Sequence, residues 1–399
     1  MDFEFSEEEK QFRVEVEDFI KRELPDDWDE RIFYWPGGYG TNPLTEEQYQ
    51  HIIGPILRDL GDKGWFALPW PEEYGGQNSV IKQAILDDVM SYYRLPSATV
   101  ATSIAGPTII HIGSEAMKKE WLPKIRRGEI SFYLGYSEPD AGSDLASIRT
   151  TAVRDGNDFI INGQKIWSSG AHVSDYCWLL AKTDPDGPKH KDASLIIVDN
   201  RSPGITINPL INICGLHCFN EVFFDNVTVP AKNIVGGLND GFYNVMLALQ
   251  YERLVIGKGS FKRVLEDLIN YVKKREQGGK RLSENPNIRG KLASMAIEIE
   301  AMNGLYWYTA WLMDKGQVPE LEASALKLFA MELGRTLAGI SMDILGLYGP
   351  VESGSPWTPM QGRVCMGYLD SISGPIGAGS SEIQRIVMAT RGLGLPRGD

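Results

Sequence analysis

The 399-residue sequence predicts an α+β fold in three consecutive parts: an N-terminal helical domain (residues 1–130), a central β domain (131–236) and a C-terminal helical bundle (237–399). Three observations predict it. Apolar residues recur with helical periodicity to about residue 130. From Ser131 to Pro230, β-branched and aromatic residues alternate with polar ones and turns become frequent. After "GGLNDG" the helical period returns and persists almost to the end.

Each part has its own signals. Ser6 and Glu9 form a capping box ahead of Phe12, Val16, Phe19 and Glu23, which follow at spacings of four, three and four. "RIFYWPGGYGTNPLTEEQ" (31–48) reads as a Pro/Gly/aromatic loop, with further helices expected around 46–62, 80–93 and 115–127. In the β domain, Asp155-Gly156 and Asn162-Gly163 read as hairpin turns, and "SLIIVDN" and "EVFFDNVTVP" as strands. In the bundle, Ile288, Leu292, Met295, Ile299, Met302 and Tyr306 alternate spacings of four and three, a stripe suited to core or subunit packing.

Composition narrows the functional classes. A hydrophobic fraction of 43% and a charged fraction of 23% are those of a globular protein. The formal charge of −13 argues against nucleic acid or an anionic membrane as partner, so an anionic cofactor or substrate must be held by local donors. Cys177, Cys214, Cys218 and Cys365 form no CxxC pair. Cys214 and Cys218 flank His217 without a second cluster, which reads as free thiols in a reducing compartment rather than as a zinc site. The acidic N-terminus lacks an apolar signal core and no run reaches membrane-span length, so a cytoplasmic protein is expected.

Four segments carry potential chemistry. "LGYSEPDAGSDLAS" (134–147) offers hydroxyls and backbone N–H groups that can hold a phosphate or the polar edge of a heterocycle, though a plain turn has the same composition. In "NGQKIWSSGA" (162–171), Trp167 beside Ser168 and Ser169 is suited to lie against an aromatic cofactor, or equally to close a small core. "SGPIGAGSSEIQRI" (373–386) is a Gly-rich turn entering a helix, and at its mouth Gly377, Ala378 and Gly379 offer no carboxylate. On "GFYNVMLALQYERLVIGKG" (241–259), Val245, Leu249, Glu252 and Ile256 share one helical stripe, so the charge of Glu252 is costly unless it faces a cleft or a partner. The residues alone leave open an ion pair, with Arg253 or a Lys of another helix, and a catalytic carboxylate.

Together, and over essentially the whole chain, these segments resemble the flavin-dependent acyl-CoA dehydrogenases. Gly135 to Asp144 follows the family's first signature, with Tyr136 where an aliphatic residue is usual. The resemblance implies a homotetramer of acyl-CoA dehydrogenase-like subunits, each with an FAD contacted by Leu134, Tyr136, Ser137, Gly142, Ser143, Trp167 and Ser169, the last facing flavin N5. Arg275 and Gln277 match an Arg-x-Gln pair that reaches the FAD of a neighbouring subunit, and Asp343, Gly346, Ser380 and Glu382 complete the implied cofactor positions. The sequence departs from the family at two points here: Gly278, beside the Arg-x-Gln pair, replaces an aromatic, and Asp343 stands where Gln is common.

In many members the base occupies the position of Ala378, whereas isovaleryl-CoA and long-chain members carry it on "ERL", which implies Glu252 here. The backbone N–H of Ala378 is then the implied oxyanion donor, and Ser143, Tyr251, Arg253, Gly377 and Ala378 the implied acyl-CoA contacts, with no metal. The expected reaction is α,β-dehydrogenation of an acyl-CoA to the 2,3-enoyl-CoA. The α-proton goes to Glu252, the hydride to FAD N5 and the electrons to an electron-transfer flavoprotein, in the degradation of fatty, aromatic or steroid acids. The small Gly377 and Ala378 favour a branched, cyclic or otherwise bulky acyl group. Alternatives are an acyl-CoA oxidase, or one subunit of a hetero-oligomeric dehydrogenase.

Overall fold

Ser6 and Glu9 exchange backbone-to-side-chain hydrogen bonds of 2.7 and 3.2 Å, and helix α1 (Glu7–Glu23) runs from them with Phe12, Val16 and Phe19 buried, as the capping box and stripe predict. The computed structural model describes residues 4–31, 49–252, 254 and 256–396; all of the predicted 31–48 loop except Arg31 lies outside them. The chain divides into two units built from non-contiguous segments: one from within 1–56, 78–97 and 253–399, the other from 57–77 and 98–252.

The first unit is helical. Helix α3 (Val80–Tyr92) packs on α1, α7 (Lys258–Lys274) and α8 (Pro286–Asp314); α9 (Glu320–Leu345) packs on α8, α10 (Arg363–Asp370) and α11 (Ser381–Val387). The α8 stripe behaves as its spacing requires: Met295, Ile299, Met302 and Tyr306 are buried, and Ile288 and Leu292 pack against the same core. Charges gather at one place in this unit. Arg94 reaches Asp29 at 2.8 Å and Asp267 at 2.5 Å, and Arg263 reaches the same two carboxylates at 2.7 and 2.9 Å.

Asp87 is a buried carboxyl of the first unit that no cation among the described residues contacts directly. Its oxygens meet Ser97 Oγ at 2.8 Å and Tyr306 Oη at 3.3 Å, while the Tyr306 hydroxyl also donates to Ala84 O at 3.3 Å. The Tyr306 hydroxyl thus divides one proton between Asp87 and Ala84 O, both at 3.3 Å, and compensates a buried charge on Asp87 only weakly. Burial pushes the Asp87 pKa up to about 6, with neighbouring Asp88 adding to the rise.

The second unit holds an eight-stranded sheet: β1 (Phe132–Gly135), β2 (Thr151–Asp155), β3 (Asp158–Lys165), β4 (Tyr176–Lys182), β5 (Ala193–Asp199), β6 (Ile205–Ile211), β7 (His217–Pro230) and β8 (Ile234–Val235). The order is β6-β7-β3-β2-β4-β5-β8, and β1 pairs in parallel with β4 beside β2. Residues 136–150 are therefore an excursion that leaves β4's edge at β1 and returns to it at β2. Helices α2 (Gly54–Asp62, mostly in this unit), α4 (Gly106–Ile112), α5 (Glu115–Arg126) and α6 (Gly241–Glu252) accompany the sheet, with α6 against β5. No sequence expectation covers α4. Gly106-Pro107 looks like a break, yet proline is favourable in the first helical turn.

Two sequence expectations are corrected. Asp155-Gly156 begins the β2–β3 turn as predicted, but Asn162-Gly163 is no turn: both residues lie within β3, at a bulge against β7. Gly163 is required there because a Cβ would meet the Thr150 backbone at 2.7 Å, at φ +151°. The stretch 241–259 is also not one helix. Helix α6 stops at Glu252, and Gly257 takes the left-handed φ of +64° before α7 starts, so Ile256 does not continue the stripe of Val245 and Leu249. The chain passes from the second unit to the first directly after Glu252. Among the described residues no helix is long and apolar enough to cross a membrane.

The Asp87 geometry carries a pH signature. A carboxyl whose folded pKa is raised contributes stability that is complete below its unfolded pKa, 3.8, and is lost as pH rises through about 6. A shift of this size is worth roughly 3 kcal/mol. Asp87→Asn, which keeps the shape and a donor toward Tyr306, should gain stability relative to wild type between pH 4 and 7 and hold that gain above. Denaturant melts across this range check it; parallel stability profiles would refute it.

Candidate functional site

In the second unit, the excursion 136–150 is pinned by a buried ion pair. Lys165 Nζ donates to Glu138 Oε1 at 2.8 Å and to Tyr136 O at 3.0 Å, and the lysine side chain is 0% exposed. Glu138 also accepts the N–H groups of Arg149 at 2.6 Å and Thr150 at 2.9 Å. Burial alone would raise the Glu138 pKa, but Lys165 and these N–H groups outweigh it and hold the carboxyl below its usual range. Ile166 N–H then bonds Ser137 O at 3.0 Å, so the excursion and the segment after β3 form one tied surface.

On that surface Leu134 ends up partly buried in β1 and Tyr136 buried, while Gly142 and Ser143 are exposed. Gly142 has open space where a Cβ would stand. Trp167 is 59% exposed and sits at φ +59°, a left-handed backbone that is unusual for a bulky residue and characteristic of functional sites. Its ring meets Phe219 edge-on at 6.0 Å. Ser168 is clamped to Asn220 in both directions, N–H to Asn220 O at 3.1 Å and Asn220 Nδ2 to Ser168 O at 2.9 Å. Asn220 in turn receives His217 Nε2 at 2.7 Å and donates to His172 Nδ1 at 3.2 Å, and the two imidazoles stack at 3.9 Å. Among the described residues no three His, Cys, Asp or Glu side chains gather as metal ligands.

The clamp sets the alternation. With Ser168 and Gly170 N–H groups bonded inward to β7, the N–H groups of Trp167 and Ser169 have no protein partner among the described residues, nor do those of Gly142 and Ser143. The buried Ser168 Oγ is likewise without a partner there. An exposed indole face with open N–H donors around it fits a flat heterocycle with a polar edge, as the isoalloxazine of FAD is.

In the first unit, the turn before α11 presents Gly377 and Ala378 exposed, with Ala378 at φ +52° and Gly379 at +86°. Lys327 from α9, 6% exposed, donates to the carbonyls of Gly374, Gly377 and Gly379 at 3.2, 2.9 and 2.7 Å. Ser380 caps α11 through Ile383 N–H at 3.4 Å. Glu382 follows exposed, its carboxyl held below its usual range by its own N–H and by the Ser380 hydroxyl.

The residues implied for the far end of the cofactor divide. The Arg275 guanidinium lies 4.9 Å from the ring centre of Tyr348, in the turn Gly346 opens at φ +56°, so positions 275 and 346 are brought together. Gln277 is exposed on β9 (Glu276–Gln277), and Asp343 instead pairs with Lys291 at 2.8 Å. The departure at Gly278 has a backbone reason. Gly278 and Gly279 link β9 to β10 (Lys280–Arg281) at φ +59° and +76°, a two-residue turn needing positive φ at both places. Tyr251 and Glu252 close α6 at the level of the backbone, and Arg253 lies outside the described residues.

Lys165, Lys327 and Asn220 escaped the sequence reading. Two had a signal: Lys165 falls on the inward period of Phe159 and Ile161, and Lys327 lies on the buried α9 stripe of Ala323 and Ala330. A charge on an apolar period is the same clue that singled out Glu252.

Comparisons with known proteins give matches of one kind. The profiles of the acyl-CoA dehydrogenase N-terminal, middle and C-terminal domains match residues 6–129, 134–227 and 239–393. Acyl-CoA dehydrogenase FadE26 of Mycobacterium tuberculosis is 33% identical over 371 residues, covering 89% of this chain and 92% of the relative. The solved "Tcur3481-Tcur3483 steroid ACAD" is 33% identical with a TM-score of 0.88, covering 100% of both chains. The ChsE4-ChsE5 complex of M. tuberculosis is 30% identical with the same TM-score of 0.88, again covering 100% of both.

An exposed Trp167 that stacks on a heterocycle should be felt in cofactor retention. Trp167→Ala should raise the dissociation constant for FAD roughly 5- to 100-fold, the range for loss of one aromatic stacking face, while the fold survives because the ring is largely in solvent. Titration of the apoprotein with FAD decides it, and an unchanged affinity and flavin spectrum would refute the stacking role.

Proposed function

The chain belongs to the acyl-CoA dehydrogenase family of FAD-dependent oxidoreductases, and from that premise we propose that it converts an acyl-CoA with a branched, cyclic or otherwise bulky acyl group to the 2,3-enoyl-CoA. The observation that carries this reading is the Gly377-Ala378-Gly379 turn. In it Gly377 and Ala378 are small and exposed, and the Ala378 N–H has no protein partner among the described residues. Small side chains leave volume for a wide acyl group, and an unpaired N–H is what a thioester oxygen needs when negative charge develops on it.

In this reading Ala378 N–H donates to the thioester oxygen, which makes the α-proton acidic, and Glu252 at the end of α6 takes that proton. FAD, when bound, supplies the acceptor for the hydride that leaves the β-carbon. Leu134, Tyr136, Ser137, Gly142, Ser143, Trp167 and Ser169 hold its ring end. Arg275, Gln277, Asp343, Gly346, Ser380 and Glu382 hold the remainder, Arg275 and Gln277 acting on a neighbouring subunit's FAD. Ser143, Tyr251, Arg253 and Gly377 contact the acyl-CoA, and an electron-transfer flavoprotein accepts the electrons. The name of the steroid relative supports a bulky acyl group. A second reading, in which this chain pairs with a related one rather than only with itself, is favoured by two neighbours whose names join two components.

Glu252→Gln preserves volume, so FAD and acyl-CoA binding should persist while flavin reduction slows by about 10² to 10⁴, the usual worth of positioned proton transfer. Stopped-flow decay of the oxidised flavin band near neutral pH measures this; bleaching at the wild-type rate would exclude Glu252 as the base. A second measurement addresses the acyl group. Specificity constants for pairs of CoA thioesters matched in carbon number should favour the branched or cyclic member, and a clear preference for the straight chain would defeat the reading of Gly377 and Ala378. Purified alone, a yellow protein bleached by such thioesters supports the enzyme, whereas a colourless protein that needs a second chain supports the paired reading.

A further inference from the structure

The turn that carries Ala378 is held from inside by one buried cation. Lys327 Nζ offers three donors, and three carbonyls of the turn, those of Gly374, Gly377 and Gly379, lie 2.7–3.2 Å from it. A lysine on the buried face of α9, where Leu326 and Ala330 pack, is costly to desolvate unless such acceptors compensate it.

The direction of those carbonyls fixes the direction of two N–H groups. Among the described residues no peptide bond is cis, and in a trans peptide the C=O of one residue and the N–H of the next point opposite ways. Drawing Gly377 O toward Lys327 therefore turns Ala378 N–H away from it. Drawing Gly379 O inward does the same for Ser380 N–H. Neither N–H has a protein partner among the described residues. The same traction accounts for the backbone at Ala378: φ +52° is a conformation a non-glycine residue holds only when its surroundings impose it, at a cost of about 1–3 kcal/mol.

We propose that Lys327 is a positioning residue for the dehydrogenation: by gathering the turn's carbonyls it aims Ala378 N–H at the thioester oxygen. The proposal rests on the reading of Ala378 N–H as the oxyanion donor. Lys327 itself touches neither substrate nor cofactor in it; it acts through the peptide plane between Gly377 and Ala378.

The test uses the FAD-loaded enzyme and acetoacetyl-CoA, a 3-oxoacyl thioester acidic enough to bind as its enolate and to give a long-wavelength band against the oxidised flavin. The pH midpoint for appearance of that band reports how well the thioester oxyanion is stabilised. Lys327→Met removes the donors at similar length. Lys327→Arg keeps a cation but cannot place three donors at one point, and it serves if the Met variant does not fold. In either, FAD content should stay near wild type while the midpoint rises by about one pH unit or more, a tenfold loss of enolate stabilisation. A folded variant with the wild-type midpoint, even at lowered melting temperature, overturns the proposal and leaves Lys327 merely structural. A wild-type enzyme that binds FAD but never forms the enolate overturns the oxyanion reading itself, and the proposal with it, so the two failures are told apart by which protein shows them.

Discussion

The excursion that carries the second unit's candidate site depends on one ion pair placed where water does not reach. Lys165 is fully buried at the end of β3, and its ammonium is satisfied by Glu138 and by Tyr136 O. Removing either partner of such a pair costs about 3–5 kcal/mol because the other is left charged and unpaired. That cost secures the excursion from 136 to 150, whose two ends join different stretches of β4's edge and which would otherwise be a long loop free to move. The ion pair thus acts as a fastener more than as a source of stability: a hydrophobic pair would fill the space but would not fix where Ser137 and Ile166 meet.

The first unit solves a comparable problem by comparable means. Trp167 and Ala378 are both non-glycine residues at positive φ, and each stands beside a residue with an N–H free of protein partners or has one itself. Each is imposed by a buried polar side chain that binds backbone on its neighbours: Asn220 on Ser168, Lys327 on Gly377 and Gly379. The strain sits at the exposed residue and the compensation in the core. Such an arrangement keeps donors oriented before any ligand arrives, which is where preorganised hydrogen bonds gain their advantage over water.

Much of this was legible in the sequence, for physical reasons that also explain the rest. Periodicity located the capping box of α1, the stripe of α8 and the strand run from Ser131, because burial imposes a period on residue type. It failed at Asn162-Gly163, where dipeptide chemistry signals a turn but the chain uses glycine for a bulge against Thr150. It failed also at Gly257, a single left-handed residue that ends a pattern the apolar residues alone would continue. The exposed candidates, Trp167, Gly142, Ser143 and Ala378, stood out as motifs, whereas their supports, Lys165, Lys327 and Asn220, did not. A support is recognised by what it bonds across the fold, and sequence distance hides that: Lys327 and Gly377 are 50 residues apart.

Placing no carboxylate at position 378 has a consequence beyond the missing base. A residue in the left-handed region tolerates a small side chain best, and with Ala there the turn's chemistry rests on its backbone alone. Proton removal and oxyanion donation, in the proposed reaction, then fall to separate residues, the side chain of Glu252 and the backbone N–H of Ala378. The separation lets side-chain volume at 377 and 378 vary with the acyl group while the oxyanion donor is kept, because an N–H is common to every residue but proline. What cannot vary is the inward pull on the carbonyls of 377 and 379. In the proposed reaction the residue that holds this turn is therefore one that acts without meeting the substrate, Lys327.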